Sequence, residues 1–153
     1  MLQKLVGKIW RKTPPFLRLW MVRATQTKFT VSVGAIVINH ENKVLLLDHV
    51  LRPASGWGIP GGFINADESP VEAIRRELRE EIGLEIENIE IFRIRTASRH
   101  VEILFSAHSA QAGEVQSFEI KELRWFDYEC MPESISPIHK QIIKEVLSKT
   151  IKC

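Results

Sequence analysis

A chain of 153 residues with 44% hydrophobic and 26% charged side chains has the size and mix of one globular domain, which excludes a disordered polymer. No apolar run reaches the length of a membrane-spanning helix, and Cys130 and Cys153 lie too far apart in sequence to form a redox or zinc pair. The formal charge of +2 hides a segregation: residues 1–40 hold seven Lys or Arg and no acid, leaving fourteen basic against nineteen acidic residues in the remainder.

The basic arm comes first. Lys8, Arg11, Lys12, Pro14, Pro15 and Arg18 interrupt its apolar stretch, so it does not read as a secretory signal, and a cytoplasmic location is expected. Leu2, Leu5, Val6 and Ile9, then Phe16, Leu17, Trp20 and Met21, recur at helical spacing on either side of Pro14-Pro15. That pattern predicts two short helices or one broken helix. Residues 1–28 are therefore expected to form a helical, basic, amphipathic arm ahead of a domain over residues 29–153. Such an arm suits nucleic acid, anionic lipid or an acidic patch on a partner subunit; a solvated polar face is the plainer reading.

From Lys28 the pattern turns to that of strands. Phe29, Val31 and Val33 alternate with Thr30, Ser32 and Gly34, and an apolar run to Ile38 follows. Asn39 to Asn42 reads as a turn into a second strand over 44–47. A Gly- and Pro-rich passage, residues 56–62, separates this hairpin from a well-marked helix. Ser69 is a good N-cap, Pro70 suits the first helical position, Glu72 completes a capping box, and Gly83 ends the helix. Val71, Ile74, Leu78 and Ile82 form its expected buried stripe. Further strands are expected at 89–96, 101–107 and 123–126. Ser136-Pro137 opens a last helix to about residue 147, with Ile138, Ile142 and Val146 inward. Helices interleaved with a mixed sheet give an α/β or α+β class, with helices expected on both sides of the sheet.

On the helix over 70–82, Glu77, Glu80 and Glu81 fall at i, i+3 and i+4 and share one face. Their mutual repulsion costs roughly a few tenths of a kcal/mol per pair on an exposed helix, and a divalent cation would reverse its sign. Carboxylate oxygens favour hard ions, so Mg²⁺ or Mn²⁺ is expected over zinc. Arg76 is placed to brace the cluster, with Glu72 as an ordinary helix ion pair. Gly62, Glu68, Arg76-Glu77-Leu78, Glu80-Glu81 and Gly83-Leu84 together resemble the Nudix box at every fixed position, over 23 residues. The likeness extends more loosely over residues 29–147 and leaves the arm outside.

The resemblance implies a loop-helix-loop in an α/β/α sandwich, and hydrolysis of nucleoside diphosphates linked to another group. It implies Glu77, Glu80, Glu81 and the Gly61 carbonyl as metal ligands, and Glu68 with Arg76 as a pair that aligns the catalytic helix. For the general base, Glu119 is the first choice, six residues before Trp125; Glu122 and the glutamates of the box are the alternatives. Arg52 is a candidate phosphate contact. The expected substrate is a nucleoside diphosphate sugar, giving nucleoside monophosphate and sugar phosphate. ADP-ribose, nucleoside triphosphates and RNA 5′ ends are alternatives, as is a module that binds nucleotide without hydrolysis. The aromatic arm suggests a homodimer in which residues 1–28 pack on the other subunit; no stable nucleic-acid partner and no membrane surface are expected.

Overall fold

The computed structural model describes residues 2–51 and 56–150. Its organising element is β1 (Thr30–Ile38), which is buried without a break from Val33 to Ile38 because both faces of the sheet are covered there. β1 turns into β2 (Val44–His49) through residues 39–43, where the Asn39 side-chain oxygen accepts the N–H groups of Glu41 and Lys43, and Asn42 adopts φ 61°. On its other side β1 runs parallel to β6 (His100–His108), and β6 pairs antiparallel with the edge strand β5 (Glu87–Ala97). β3 (Trp57–Gly58) and β7 (Ile120–Phe126) both pair with β2, while β4 (Gly61–Phe63) pairs with the start of β1. The result is one seven-stranded mixed sheet.

Two helices sandwich that sheet. Val33, Ala35 and Val37 pack with Ile74, Leu78 and Ile82 of α3 (Pro70–Ile82) and with Phe105. The alternate positions Ile36 and Ile38 pack with Leu104 and with Ile142, Ile143 and Val146 of α4 (Pro137–Thr150). The period of two along β1 thus feeds two separate apolar layers. This is the α/β/α sandwich expected from the sequence.

Three readings need correction. Residues 56–62 are not only a connecting passage, since they contain β3 and the start of β4; glycine hid strands whose hydrogen bonds come from neighbouring edges. Val71 is 39% and Ile138 52% exposed, and Ala73 and Ile143 are buried instead. Both misplaced residues lie in a first helical turn, where wheel position does not tell whether the helix has yet reached the sheet.

The arm forms two helices, α1 (Leu2–Lys12) and α2 (Pro15–Thr25), parted at Pro14 with φ −56° and ψ 145°. No residue of α2 is buried. Among the described residues, no helix is long and apolar enough to cross a membrane.

Candidate functional site

α3 starts with the reciprocal cap that its sequence spells. Ser69 Oγ accepts the Glu72 N–H at 3.3 Å, and the Glu72 carboxylate accepts the Ser69 N–H at 2.9 Å. These bonds to Ser69 hold the Glu72 carboxyl below its ordinary range. Glu72 is therefore a capping residue and not the ion-pair partner expected for Arg76.

Arg76 gathers other carboxylates. Its Nε and Nη2 donate to the two oxygens of Glu68 at 2.8 and 3.0 Å, and its Nη1 donates to Glu77 at 2.9 Å and Glu80 at 3.2 Å. Nη2 also reaches the Phe63 carbonyl at 3.0 Å, and Glu68 accepts the Asn65 N–H. A planar guanidinium can serve these partners at once because its donors fan out in a fixed fork. The loop between β4 and α3 is thereby strapped to the helix. The Arg76 hydrogen bond holds Glu68 below the usual carboxylate range, and the same bond raises Arg76 further. The repulsion among the helix acids is thus already offset by one cation of the protein.

The three acids on α3 differ in setting. Glu77 is half-buried, and burial pushes its carboxyl up against the opposing pull of Arg76. Glu81 is 7% exposed and borders the core rather than standing clear of it. Glu80 is exposed, on the rim. A cleft of about 420 Å³ brings Glu77 and Glu81 together with Gly61, Gly62, Arg76 and Glu119, and adds His49, Phe63 and Asn65. Glu68 stands behind Arg76 and Glu80 lies outside the lining. Arg52 lies outside the described residues. Among the described residues, no three carboxylate, imidazole or thiolate side chains converge on one point, since Glu77 and Glu80 turn to Arg76.

Both glycines of the cleft are required by close approach. Gly61 has φ 150°, and a side chain there would run into the Val33 carbonyl. At Gly62 it would run into the Glu77 carboxylate.

Glu119 arrives from far along the chain because α3 ends in a particular way. Gly83, at φ 61°, closes the helix with its N–H on the Arg79 and Leu78 carbonyls. The carbonyls of Glu81 and Ile82, which have no partner within the helix, accept instead from Gln116 at 2.8 Å and Glu114 at 2.9 Å. Ser117 N–H adds a second bond to Glu81. The loop so pinned continues to Glu119, whose carbonyl accepts the Val50 N–H at 2.9 Å. Glu122, the alternative, sits on β7 opposite Asp48 and pairs with Arg124, away from the cleft lining.

A second hollow, of about 180 Å³, adjoins the cleft through Gly61, Gly62 and Phe63 and is lined by Ser32, His100, Glu102 and His139. His100 bridges two hydroxyls, Thr30 at 2.8 Å and Ser32 at 2.9 Å. Neither this hollow nor His49 and Asn65 stood out in the sequence, because none belongs to a spaced motif. Only the position of His49 at the end of β2, where the pairing with β7 shifts register, gives it a place.

The NUDIX domain model matches residues 28–146. Among curated proteins, RNA pyrophosphohydrolases of Xanthomonas campestris and Pseudomonas putida are each 43% identical over 63 residues, 41% of this chain. The match spans only 30% and 38% of the length of those relatives. Among solved structures, a NUDIX hydrolase from Nitrosomonas europaea has a TM-score of 0.73 at 27% identity, covering 83% of this chain and 74% of that one. The NUDIX domain of Shewanella oneidensis NrtR, solved with ADP ribose, has a TM-score of 0.69 at 23% identity, covering 94% and 97%.

Proposed function

Since the chain belongs to the NUDIX family, we propose that it is a metal-dependent hydrolase of the pyrophosphate bond in nucleoside diphosphates joined to a sugar, releasing nucleoside monophosphate and sugar phosphate. The observation that carries this reading is that Glu77, Glu81 and Glu119 line one cleft beside Gly61 and Gly62.

A hard divalent cation fits the donors present. The proposed ligands are all oxygens, the nearly buried Glu81 carboxylate lines the cleft together with Glu77 and Glu119, and Gly62 keeps open the space beside Glu77 that a side chain would fill. Glu77, Glu80, Glu81 and the Gly61 carbonyl would hold Mg²⁺ or Mn²⁺. Bound there, the ion would neutralise pyrophosphate charge and lower the pKa of a water. Glu119, which lines the same cleft, takes the proton of the attacking water. Arg76 and Glu68 act by fixing the loop and helix that carry these acids.

The adjoining hollow supports the sugar reading. Its lining is polar, with the Ser32 hydroxyl held by His100 and the Glu102 carboxylate held by Arg95, and such hydrogen-bonded groups suit a polyhydroxyl leaving group next to a diphosphate. A second reading, removal of pyrophosphate from RNA 5′ ends, draws on the named activity of the curated relatives and on the basic arm. A turnover screen with Mg²⁺ or Mn²⁺ separates the two. Nucleotide sugars should be consumed with appearance of nucleoside monophosphate. Preference for 5′-triphosphate RNA would replace the sugar reading, preference for ADP-ribose or nucleoside triphosphates would redirect it, and nucleotide binding without turnover would leave a sensor. In the same assay Glu81→Gln and Glu80→Gln should each lose most turnover with an unchanged circular dichroism spectrum. Near-normal rates in both would remove the metal assignment.

A further inference from the structure

The arm carries an unusual load for a surface segment. Within α1 and α2, Val6, Ile9, Trp10, Phe16, Leu19 and Trp20 are all exposed, Phe16 to 73% and Trp20 to 65%. A patch of that kind marks a surface made to be covered. Its polar complement has one sign only: residues 1–28 contain seven Lys or Arg and no acid. A helix that merely faces water, or that docks on a mixed protein surface, carries both signs along its polar side. Large apolar and aromatic groups bordered solely by cations are the pattern of helices lying in the headgroup region of an anionic bilayer.

The body repeats this apolar character at one end. α2 is followed within a few residues by β1, whose Ser32 and Gly34 pair with Phe63 and Gly61 of the cleft. The arm therefore leaves the domain beside the cleft mouth. Phe63 of the cleft lining is exposed, and so are the chain neighbours of two other lining residues, Phe118 next to Glu119 at 88% and Val50 and Leu51 after His49. A lipid surface would cover the apolar side chains of the arm and these side chains of the body together.

We propose that residues 2–25 seat this protein on an anionic membrane surface, with the cleft mouth turned toward the lipid headgroups. The attachment is peripheral, since α1 and α2 span 11 residues each and are too short to cross a bilayer. The binding is separate from the proposed hydrolysis and is read without it.

Sedimentation of the full chain with vesicles tests the idea, comparing phosphatidylcholine alone with phosphatidylcholine mixed with phosphatidylglycerol. The expected result is capture by the anionic vesicles only, weakened by salt. The triple variant Trp10→Ser, Phe16→Ser, Trp20→Ser and the triple variant Arg11→Glu, Arg18→Glu, Arg23→Glu should each lower capture by at least about tenfold. Both should keep the circular dichroism spectrum and the cooperative melt of the wild type, which establishes that they fold. Phe118→Ser together with Leu51→Ser should lower capture a few-fold; undiminished capture would overturn the orientation. The docking itself is overturned by a chain that stays off both vesicles. A light-scattering dimer that ignores lipid would give the arm to a second copy. Arm-dependent, salt-sensitive RNA binding without lipid capture would give it to nucleic acid.

Discussion

Arg76 shows how one side chain can set the character of a site. Lysine could not replace it, because a single ammonium cannot hold Glu68 in a two-point grip while also reaching Glu77 and Glu80. The grip has a pH signature whose sign follows from linkage. Arg76 lowers the Glu68 carboxyl in the folded state below the ordinary 4.5. Its stabilising contribution is therefore complete above about 4.5 and is lost as pH falls through the lowered folded value. Glu77 works oppositely, since its raised carboxyl contributes below the ordinary value and loses that contribution as pH rises through the folded one. Thermal melts below pH 4.5 should accordingly show a shallower acid limb for Glu68→Gln than for the wild type, and an equal slope would refute the assignment. For the proposed base, Glu119→Gln should lower kcat by about 10²-fold or more with little change in KM. An unchanged kcat moves the base elsewhere. At this scale the sequence exposed the residues held by the 3.6-residue period and the spacing of the box. His49 and Asn65 stayed invisible because tertiary contact alone puts them in the cleft.

Elements were readable to the extent that their ends are chemically marked. Ser69, Pro70, Glu72 and Gly83 delimit α3 at the bounds observed, because each satisfies or terminates a defined set of backbone groups. Ser69→Ala should remove one of those partners at a cost of about 1 kcal/mol, a fall of roughly 2–4 °C in Tm for a domain of this size. A melting temperature identical to wild type would mean that water replaces the cap without loss. β3 and β4 have no such marks. Two and three residues long, and rich in glycine, they exist because β1 and β2 present edges to them. Likewise the inward face of α4 is set by Ile143 rather than Ile138, a choice made by the sheet and not by the helix.

For the whole molecule, apolar patterning was enough to foresee a mixed sheet between helices, since the alternation from Phe29 and the apolar run to Ile38 read as a strand and the 3.6-residue stripes as helices. The order of strands was not, because a parallel pairing such as β1 with β6 joins residues about seventy positions apart. That same long-range geometry gathers the cleft. Its acids come from α3 and from the approach to β7, and only the fold makes them neighbours. The three amides of residues 114, 116 and 117 that finish the last turn of α3 give this assembly a definite point of failure. They act as a latch shared by the helix and by the approach to Glu119. We predict that warming springs this latch while both apolar layers are still closed, and so parts the carboxylates of α3 from the proposed base Glu119. Turnover should then disappear at a temperature below the cooperative melt, in step with hydrogen exchange at those three amides, so that heat disarms this protein before it unfolds it.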